Sequence, residues 1–452
     1  MPKITLTSYG AAQEVTGSCH LLKVDNFKIL IDCGWWQGDQ KNYFRNWEAF
    51  GFDAKTLNAV ILTHAHLDHC GRLPLLYARG YKGEIYSTRA TQSLAQIVLE
   101  DSFNIMLEKS SQHSLGPAYK KTDLDKLNQH WTNLDYYKTT NLNDDIKITL
   151  HNAGHILGSS LVEIKAGPYT IVFTGDMGAE NMPLVKNIDY LKFADAVVME
   201  STYGDRNHEA VKDRNAKLLE AVQRVTKNGS TLIISVFAVE RAQNILKVLN
   251  DYYENHLDFR VPVFLDSPMA AEVTKVYREN SKQLNTLAQD ELKHDRDIFS
   301  FPHLKVTNTI EQSKKINSSP NPKIILAGSG MADGGRILHH LANFAPDPKN
   351  HILFMGFQVP GTLGYKLTNG AFDFRYFDRQ VTVRAGVDKI DAFSAHADQS
   401  ALMKWLSAFK NKPKIFLVHG DPTASQIFAD KIKSELHFDA EMIKNQTTIN
   451  LN

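Results

Sequence analysis

His64-Ala65-His66-Leu67-Asp68-His69 stands immediately after the apolar run Ala59-Val60-Ile61-Leu62. An apolar run of that length reads as a strand, so four ionisable side chains crowd into the loop at its C-terminal end. His64 and His66 are two residues apart and cannot share one face of a helix, but a loop can wrap them around an ion. Neutral imidazoles with a carboxylate suit Zn²⁺ or a similar borderline metal. The competing reading is a surface histidine cluster, yet four specified residues at a few per cent each coincide in on the order of one chain in several hundred. A metal-binding loop is therefore expected.

One ion rarely takes more than four protein ligands, and this chain supplies more. The same construction, an apolar strand followed by an ionisable residue, recurs. Phe27–Ile31 ends at Asp32, residues 171–173 lead through Thr174-Gly175 to Asp176, residues 197–199 end at Glu200, and residues 415–418 end at His419. His155 follows the strand at 146–150, and His396, within Ser394-Ala395-His396-Ala397-Asp398, follows residues 387–393. Singly, each is ambiguous: an Asp after a strand is often a turn or helix cap, and a lone His is often structural. Strands of a sandwich deliver their ends to one rim, however. Asp68, His69, Asp176 and His419 beside His64, His66 and His155 are enough for two metals, with a shared carboxylate as the natural bridge.

The rest of the chain frames these loops. Its 452 residues allow two or three domains, and 43% hydrophobic with 22% charged residues is ordinary for a globular protein. No run is long and apolar enough to cross a bilayer, and residues 1–9 alternate like an edge or hairpin strand rather than a secretory signal. Cys19, Cys33 and Cys70, an odd and scattered set, read as buried thiols in a reducing cytoplasm. Net charge is +1, so a polyanion would have to be held by metal ions and a local lining of Lys and Arg.

Hairpins are expected about Asp25-Asn26 and Ala166-Gly167-Pro168, and residues 91–141 read as a polar helical excursion. From residue 205 the rhythm changes: helix 208–225, strand Thr231–Ser235, helix 240–253, strand 261–265, strand Lys323–Ala327 and helix 336–341. Such alternation favours a parallel sheet with helices on its faces. Metal-type motifs resume after residue 383, so the expected division is 1–204 and 386–452 for one domain, with 205–385 inserted.

Taken together, these motifs resemble the metallo-β-lactamase superfamily and, within it, the β-CASP family of nucleic-acid-processing hydrolases, over nearly the whole chain. The loop His64-x-His66-x-Asp68-His69 is similar to the superfamily's second motif, with Asp32, His155 and Asp176 matching the first, third and fourth. Glu200, His396 and His419 match the three further motifs of the β-CASP group. Gly17-Ser18-Cys19-His20, Phe237-Ala238-Val239 and Gly328-Ser329-Gly330-Met331 resemble its bacterial and archaeal RNA-cutting members and the endonuclease subunit of pre-mRNA 3′-end cleavage. The implied fold class is α/β, an αββα metallo-β-lactamase sandwich with an inserted β-CASP α/β domain. Two departures stand out: Glu240, where Gly or a small residue is expected, and the Trp35-Trp36 pair, where relatives more often show one aromatic and packing is the default.

The resemblance implies two Zn²⁺ per chain, one on His64, His66 and His155, the other on Asp68, His69 and His419, bridged by Asp176. Asp32 would accept the second ring N–H of a ligand histidine. A water between two such ions ionises near neutral pH and attacks phosphorus in line. The candidate catalytic residues are Asp68, Glu200 and His396, with His396 as general acid, oriented by Glu200 and raised in pKa by its charge. Gly328-Ser329-Gly330 has the makings of a phosphate cradle, with Arg336 adding a contact; a tight turn and a solvated helix face are the alternatives. RNA is the implied substrate, entering between the domains and cut endonucleolytically, because DNA-directed relatives carry Val where His419 stands. A DNA nuclease and a non-catalytic scaffold are the rivals, and a homo-dimer is left open.

Overall fold

The computed structural model describes every residue except Met1, Asp39, His113, Glu209, Ala210, Leu257 and Phe357, so part of the helix expected from 208 lies outside the described residues. Among the described residues, two seven-stranded sheets build the first unit. One runs Thr448–Asn450, Ile4–Ser8, His20–Val24, Phe27–Ile31, Ala59–Ile61, Ile85–Ser87, Trp131–Asn133. The other runs Ala440–Met442, Lys414–Val418, Ala196–Glu200, Tyr169–Phe173, Ser160–Ala166, Ile146–Asn152, Thr140–Asn141. Both expected hairpins form, with His20 opposite Ile31 in one and Phe173 opposite Val162 in the other. The N-terminal strand is a hairpin strand but not an edge, because Thr448–Asn450 pairs along its outer side.

Period-two alternation turns one face of each sheet inward. Ile4, Leu6, Leu22 and Ile31 from the first meet Ile148, Ile164, Ile171, Val198 and Phe416 from the second in one buried cluster. Each such side chain contributes about 1.5–3 kcal/mol by leaving water. The second sheet's other face packs Val172, Val197 and Leu417 against Leu402, Trp405 and Phe428 of the helices Gln399–Leu406 and Pro422–Lys431. Strand tips are thereby held rigid while the loops that follow them remain free to carry chemistry.

The excursion over 91–141 is helical only in part. Helices Arg89–Gln112 and Lys121–Gln129 give way to strands Trp131–Asn133 and Thr140–Asn141. Ile85–Ser87 offers an open edge there, and the Trp131 indole N–H secures the pairing by donating to Ser87 Oγ at 2.8 Å.

The second unit is a six-stranded, all-parallel sheet in the order Leu304–Val306, Val263–Asp266, Lys323–Ala327, Thr231–Ser235, His351–Met355, Gly386–Ile390. It spans His208–Ala395 plus the short segment Asn181–Val185; the first unit is Met1–Glu180, Lys186–Asn207 and His396–Asn452. The chain thus returns at His396 rather than at 386, because Gly386–Ile390 is a strand of the inserted sheet, paired with His351–Met355. Its outward Asp388 and Lys389 hide it from an apolar-pattern reading. Segment 181–185 joins through Asn285, whose backbone N–H donates to Leu184 O at 2.7 Å. No helix among the described residues is long and apolar enough to cross a membrane.

Candidate metal centre

The strand tips of the first unit meet at one rim. His66 Nδ1 lies 3.2 Å from His64 Nε2 and 3.0 Å from His155 Nε2, and Asp176 Oδ2 lies 3.4 and 3.6 Å from the same two nitrogens. A tetrahedral ion with ligands about 2.1 Å away needs ligand–ligand edges of about 3.4 Å, and these four atoms straddle that length. A second group forms beside it. Asp68 Oδ2 is 3.3 Å from His419 Nε2, while Asp176 Oδ1 is 3.1 Å from His69 Nε2 and 3.6 Å from His419 Nε2. One oxygen of Asp176 faces each group.

The donor chemistry fits cations. His66 Nδ1 carries one lone pair or one proton, yet it faces two other ring nitrogens at hydrogen-bonding distance. Asp176 Oδ1 is buried without a hydrogen-bond partner among the described residues. His64, His66, His155 and Asp176, and separately Asp68, His69 and His419, are sets that could each hold a metal ion.

Titration behaviour follows from burial. Burial, reinforced by neighbouring imidazoles, pushes His64, His66 and His155 below the usual histidine value, which keeps them neutral and able to ligate. For His69 burial acts the same way, but the carboxylates of Asp176 and Asp32 on its two sides outweigh it and hold it well above. Burial would raise Asp176, yet His419, His69 and further imidazoles draw it well below the carboxylate range.

A supporting layer orients these groups. Asp32, with φ +59°, accepts the Thr63 N–H at 2.8 Å, the Thr63 hydroxyl at 2.8 Å and His69 Nδ1–H at 2.7 Å. Thr202 Oγ1 donates to His419 O at 2.9 Å, so it accepts from His419 Nδ1–H at 3.0 Å and leaves Nε2 turned to Asp68 and Asp176. The backbone also closes tightly behind the loops: a Cβ on Gly34 would lie 1.6 Å from Asp68 O, and one on Gly178 would lie 1.8 Å from Gly154 O. Sequence reading missed Thr63, Thr202, Gly34 and Gly178. Adjacency to His64 and Glu200 was the available signal for the two threonines, and none existed for the glycines.

Glu200 and His396 also join the rim. His396 Nδ1 is 3.0 Å from Glu200 Oε2, and Nε2 is 3.8 Å from Asp176 Oδ2. Glu200 is fully buried and accepts Met177 N–H at 2.5 Å, while Ala397 N–H donates to Met177 O at 2.7 Å. The residue after Asp176 therefore ties both partners of the pair.

Comparison with known proteins matches this architecture segment by segment. Residues 21–198 match a metallo-beta-lactamase superfamily domain, 242–367 a Beta-Casp domain, and 380–443 a Zn-dependent metallo-hydrolase RNA specificity domain. Over 416 residues, covering 92% of this chain and 93% of the relative, it is 39% identical to Ribonuclease TTHA0252 of Thermus thermophilus. The chain belongs to the β-CASP family of metallo-β-lactamase-fold proteins. It is also 32% identical to Transcription termination factor FttA of Methanocaldococcus jannaschii, across 99% of this chain and 71% of that protein. A crystal structure of a protein of unknown function from Enterococcus faecalis V583 superposes with a TM-score of 0.59 at 12% identity, covering 99% and 100% of the two chains, a likeness of fold alone.

Within the β-CASP domain the remaining expected residues behave differently. Ser329 N–H donates to Gly334 O at 3.3 Å, Ser329 O accepts from Ser235 Oγ at 2.8 Å, and Gly328 O accepts Ile337 N–H at 3.0 Å. Gly328-Ser329-Gly330 is therefore knitted as a turn, and the helix Arg336–Phe344 begins beyond Gly335. Arg336 is partly exposed, its side chain at 19%, and already holds a carboxylate. Its guanidinium meets the buried Asp266 at 2.7 Å and donates to Thr307 O at 3.0 Å, because that carboxylate needs a counter-charge. Glu240 sits at φ +69°, fully buried, and accepts from the Tyr277 hydroxyl and from Asn244 Nδ2 at 3.0 Å. In the metallo-β-lactamase domain the tryptophan pair is indeed packing: Trp36 lies between Arg72 and Arg45, 3.7 and 4.3 Å from its ring, and Trp35 contacts Tyr43 and Trp47 edge-on.

Proposed function

We propose that this protein is a dizinc ribonuclease that hydrolyses RNA phosphodiester bonds within the strand, inside the cytoplasm. The observation that carries the reading is Asp176 dividing its two oxygens between two donor sets. Zinc, rather than a harder ion, suits the imidazole-rich composition of both. His64, His66 and His155 would hold one ion, Asp68, His69 and His419 the other, with Asp176 common to both. Asp32 keeps His69 in one tautomer and orientation, and Thr202 does so for His419.

When bound, a zinc pair supplies the Lewis acidity that ionises water near neutral pH and offsets charge on a phosphoryl group. His396 provides the other half of the reaction. Its Nδ1–H donates to Glu200, which fixes the ring so that Nε2 faces the rim, where a proton can pass to the departing oxygen. Met177 holds Glu200 from behind. RNA as substrate is supported by the relative named as a ribonuclease and by His at position 419. A cytoplasmic setting is supported by Cys19, Cys33 and Cys70, all buried and free.

The test is incubation of zinc-loaded protein with 5′- and 3′-labelled RNA and with DNA of the same sequence, alongside metal analysis. Internal cuts in RNA, about two zinc ions per chain as a two-metal site needs, and loss of cutting with a chelator are expected. Preferential DNA cleavage would make it a DNA nuclease; metal binding without cleavage of either polymer would make it a scaffold.

A further inference from the structure

The β-CASP domain carries a two-stranded hairpin, Asp373–Tyr376 with Arg379–Thr382, that plays no part in the chemistry above. Its inner side is structural: Phe374 and Val381 pair across the strands and are buried in the domain core. Tyr376 packs partly against the same core, but the two phenylalanines of this segment outside the core do not. Phe372 is 72% and Phe377 74% exposed. Phe377 also occupies the turn at φ +49°, a region Gly or Asn adopts at less cost, so the fold has no use for a phenyl ring there.

Two arginines lie in this element and a third follows it by two residues. Arg375, Arg379 and Arg384 are exposed, and none takes part in an ion pair among the described residues, unlike Arg224, Arg278 and Arg336, which meet Asp388, Asp297 and Asp266. From Phe372 to Arg384 these three arginines stand against two carboxylates, Asp373 and Asp378, an excess of one positive charge. Arg375 Nε donates to Phe377 O at 3.1 Å, Arg379 lies 5.1 Å over the Tyr376 ring, and the Tyr376 and Phe377 rings are 4.8 Å apart. Aromatic faces and unpaired guanidinium groups are thus interleaved on an anchored scaffold.

We infer that this hairpin is a platform for single-stranded RNA, with Phe372 and Phe377 stacking on bases and Arg375, Arg379 and Arg384 meeting phosphates. Base–aromatic stacking on a basic surface is how single strands are held without sequence preference. A second copy of the chain is the less suitable occupant, because a twofold contact would set these arginines against their own copies. The inference rests on RNA being the substrate.

The test uses full-length, zinc-loaded protein and a labelled single-stranded RNA, with thermal melting to verify that each variant is folded. Phe372→Ala with Phe377→Ala should weaken binding by about 25-fold or more, about five-fold per lost stack. Replacing Arg375, Arg379 and Arg384 by Gln should lower the slope of log Kd against log salt by about two, since each phosphate contact contributes about 0.7. Wild-type protein that cuts RNA together with variants that bind it undiminished would overturn the inference alone. A wild type that neither binds nor cuts RNA would overturn the substrate reading first. Variants that bind RNA normally but lose a wild-type dimer would assign the face to self-association.

Discussion

Asp32→Asn removes one charge at nearly constant shape, and the structure sets what it should cost. Three donors converge on this buried carboxylate: Thr63 N–H on Oδ1, and the Thr63 hydroxyl and His69 Nδ1–H on Oδ2. An amide offers one accepting oxygen, and its NH₂ must point at one of those donors. At least one buried hydrogen bond is lost, worth about 1–3 kcal/mol. The carboxylate that keeps the ring of His69 turned and electron-rich is lost as well, and loss of such a support weakens metal binding about 10–100-fold, or about 1.4–2.7 kcal/mol. Asp32 meets His69 directly and His64 only through the Thr63 hydroxyl, 3.1 Å from His64 Nδ1, so the loss should fall mainly on the zinc equivalent that His69 would hold. Competition with a chromogenic chelator reads both affinities, and melting of the metal-free protein reads the hydrogen-bond cost, at about 2–4 °C per kcal/mol for a domain of this size. Equal and unchanged affinity for both equivalents would refute the argument that Asp32 acts through His69.

His396→Ala should keep both zinc ions while slowing RNA cleavage by about 10²–10⁴-fold, with metal analysis and single-turnover rates as the check. Full activity in that variant would remove His396 from the reaction. Asp266→Asn should destabilise the β-CASP domain by about 3 kcal/mol or more, since Arg336 would lose its carboxylate and His340 Nε2 its partner at 2.6 Å. Burial raises Asp266, but donors from His340, Ser313, Thr307 and Arg336 outweigh it and lower its pKa. Its contribution is therefore complete above the unfolded value of about 3.9 and fades as pH falls through the lower folded value, so denaturant midpoints of wild type and variant should converge only in strong acid.

The fold was legible where local pattern decides it. Strands Phe27–Ile31, Thr231–Ser235 and Lys323–Ala327 have the bounds expected from their apolar runs, because alternating or continuous hydrophobicity is a property of the segment itself. The excursion after Ile85–Ser87 misled, since the strand Trp131–Asn133 exists by virtue of an open sheet edge, and Gly386–Ile390 likewise takes its identity from its neighbour. Propensity yields to a partner in both cases.

Sequence alone determined the donor chemistry of the rim, because imidazoles and carboxylates placed directly after strands announce their type wherever the chain puts them. It named His64, Asp176 and His419 together, though they are scattered along the chain. Only tertiary structure decided that Asp176 turns one oxygen to each set, that Thr202 directs His419, and that Gly34 and Gly178 let backbones approach within a Cβ's width. It also set Arg336 against Asp266, far away in sequence. Such facts depend on through-space distances between remote residues, and a chain read in one dimension carries the chemistry of each group but not its neighbours.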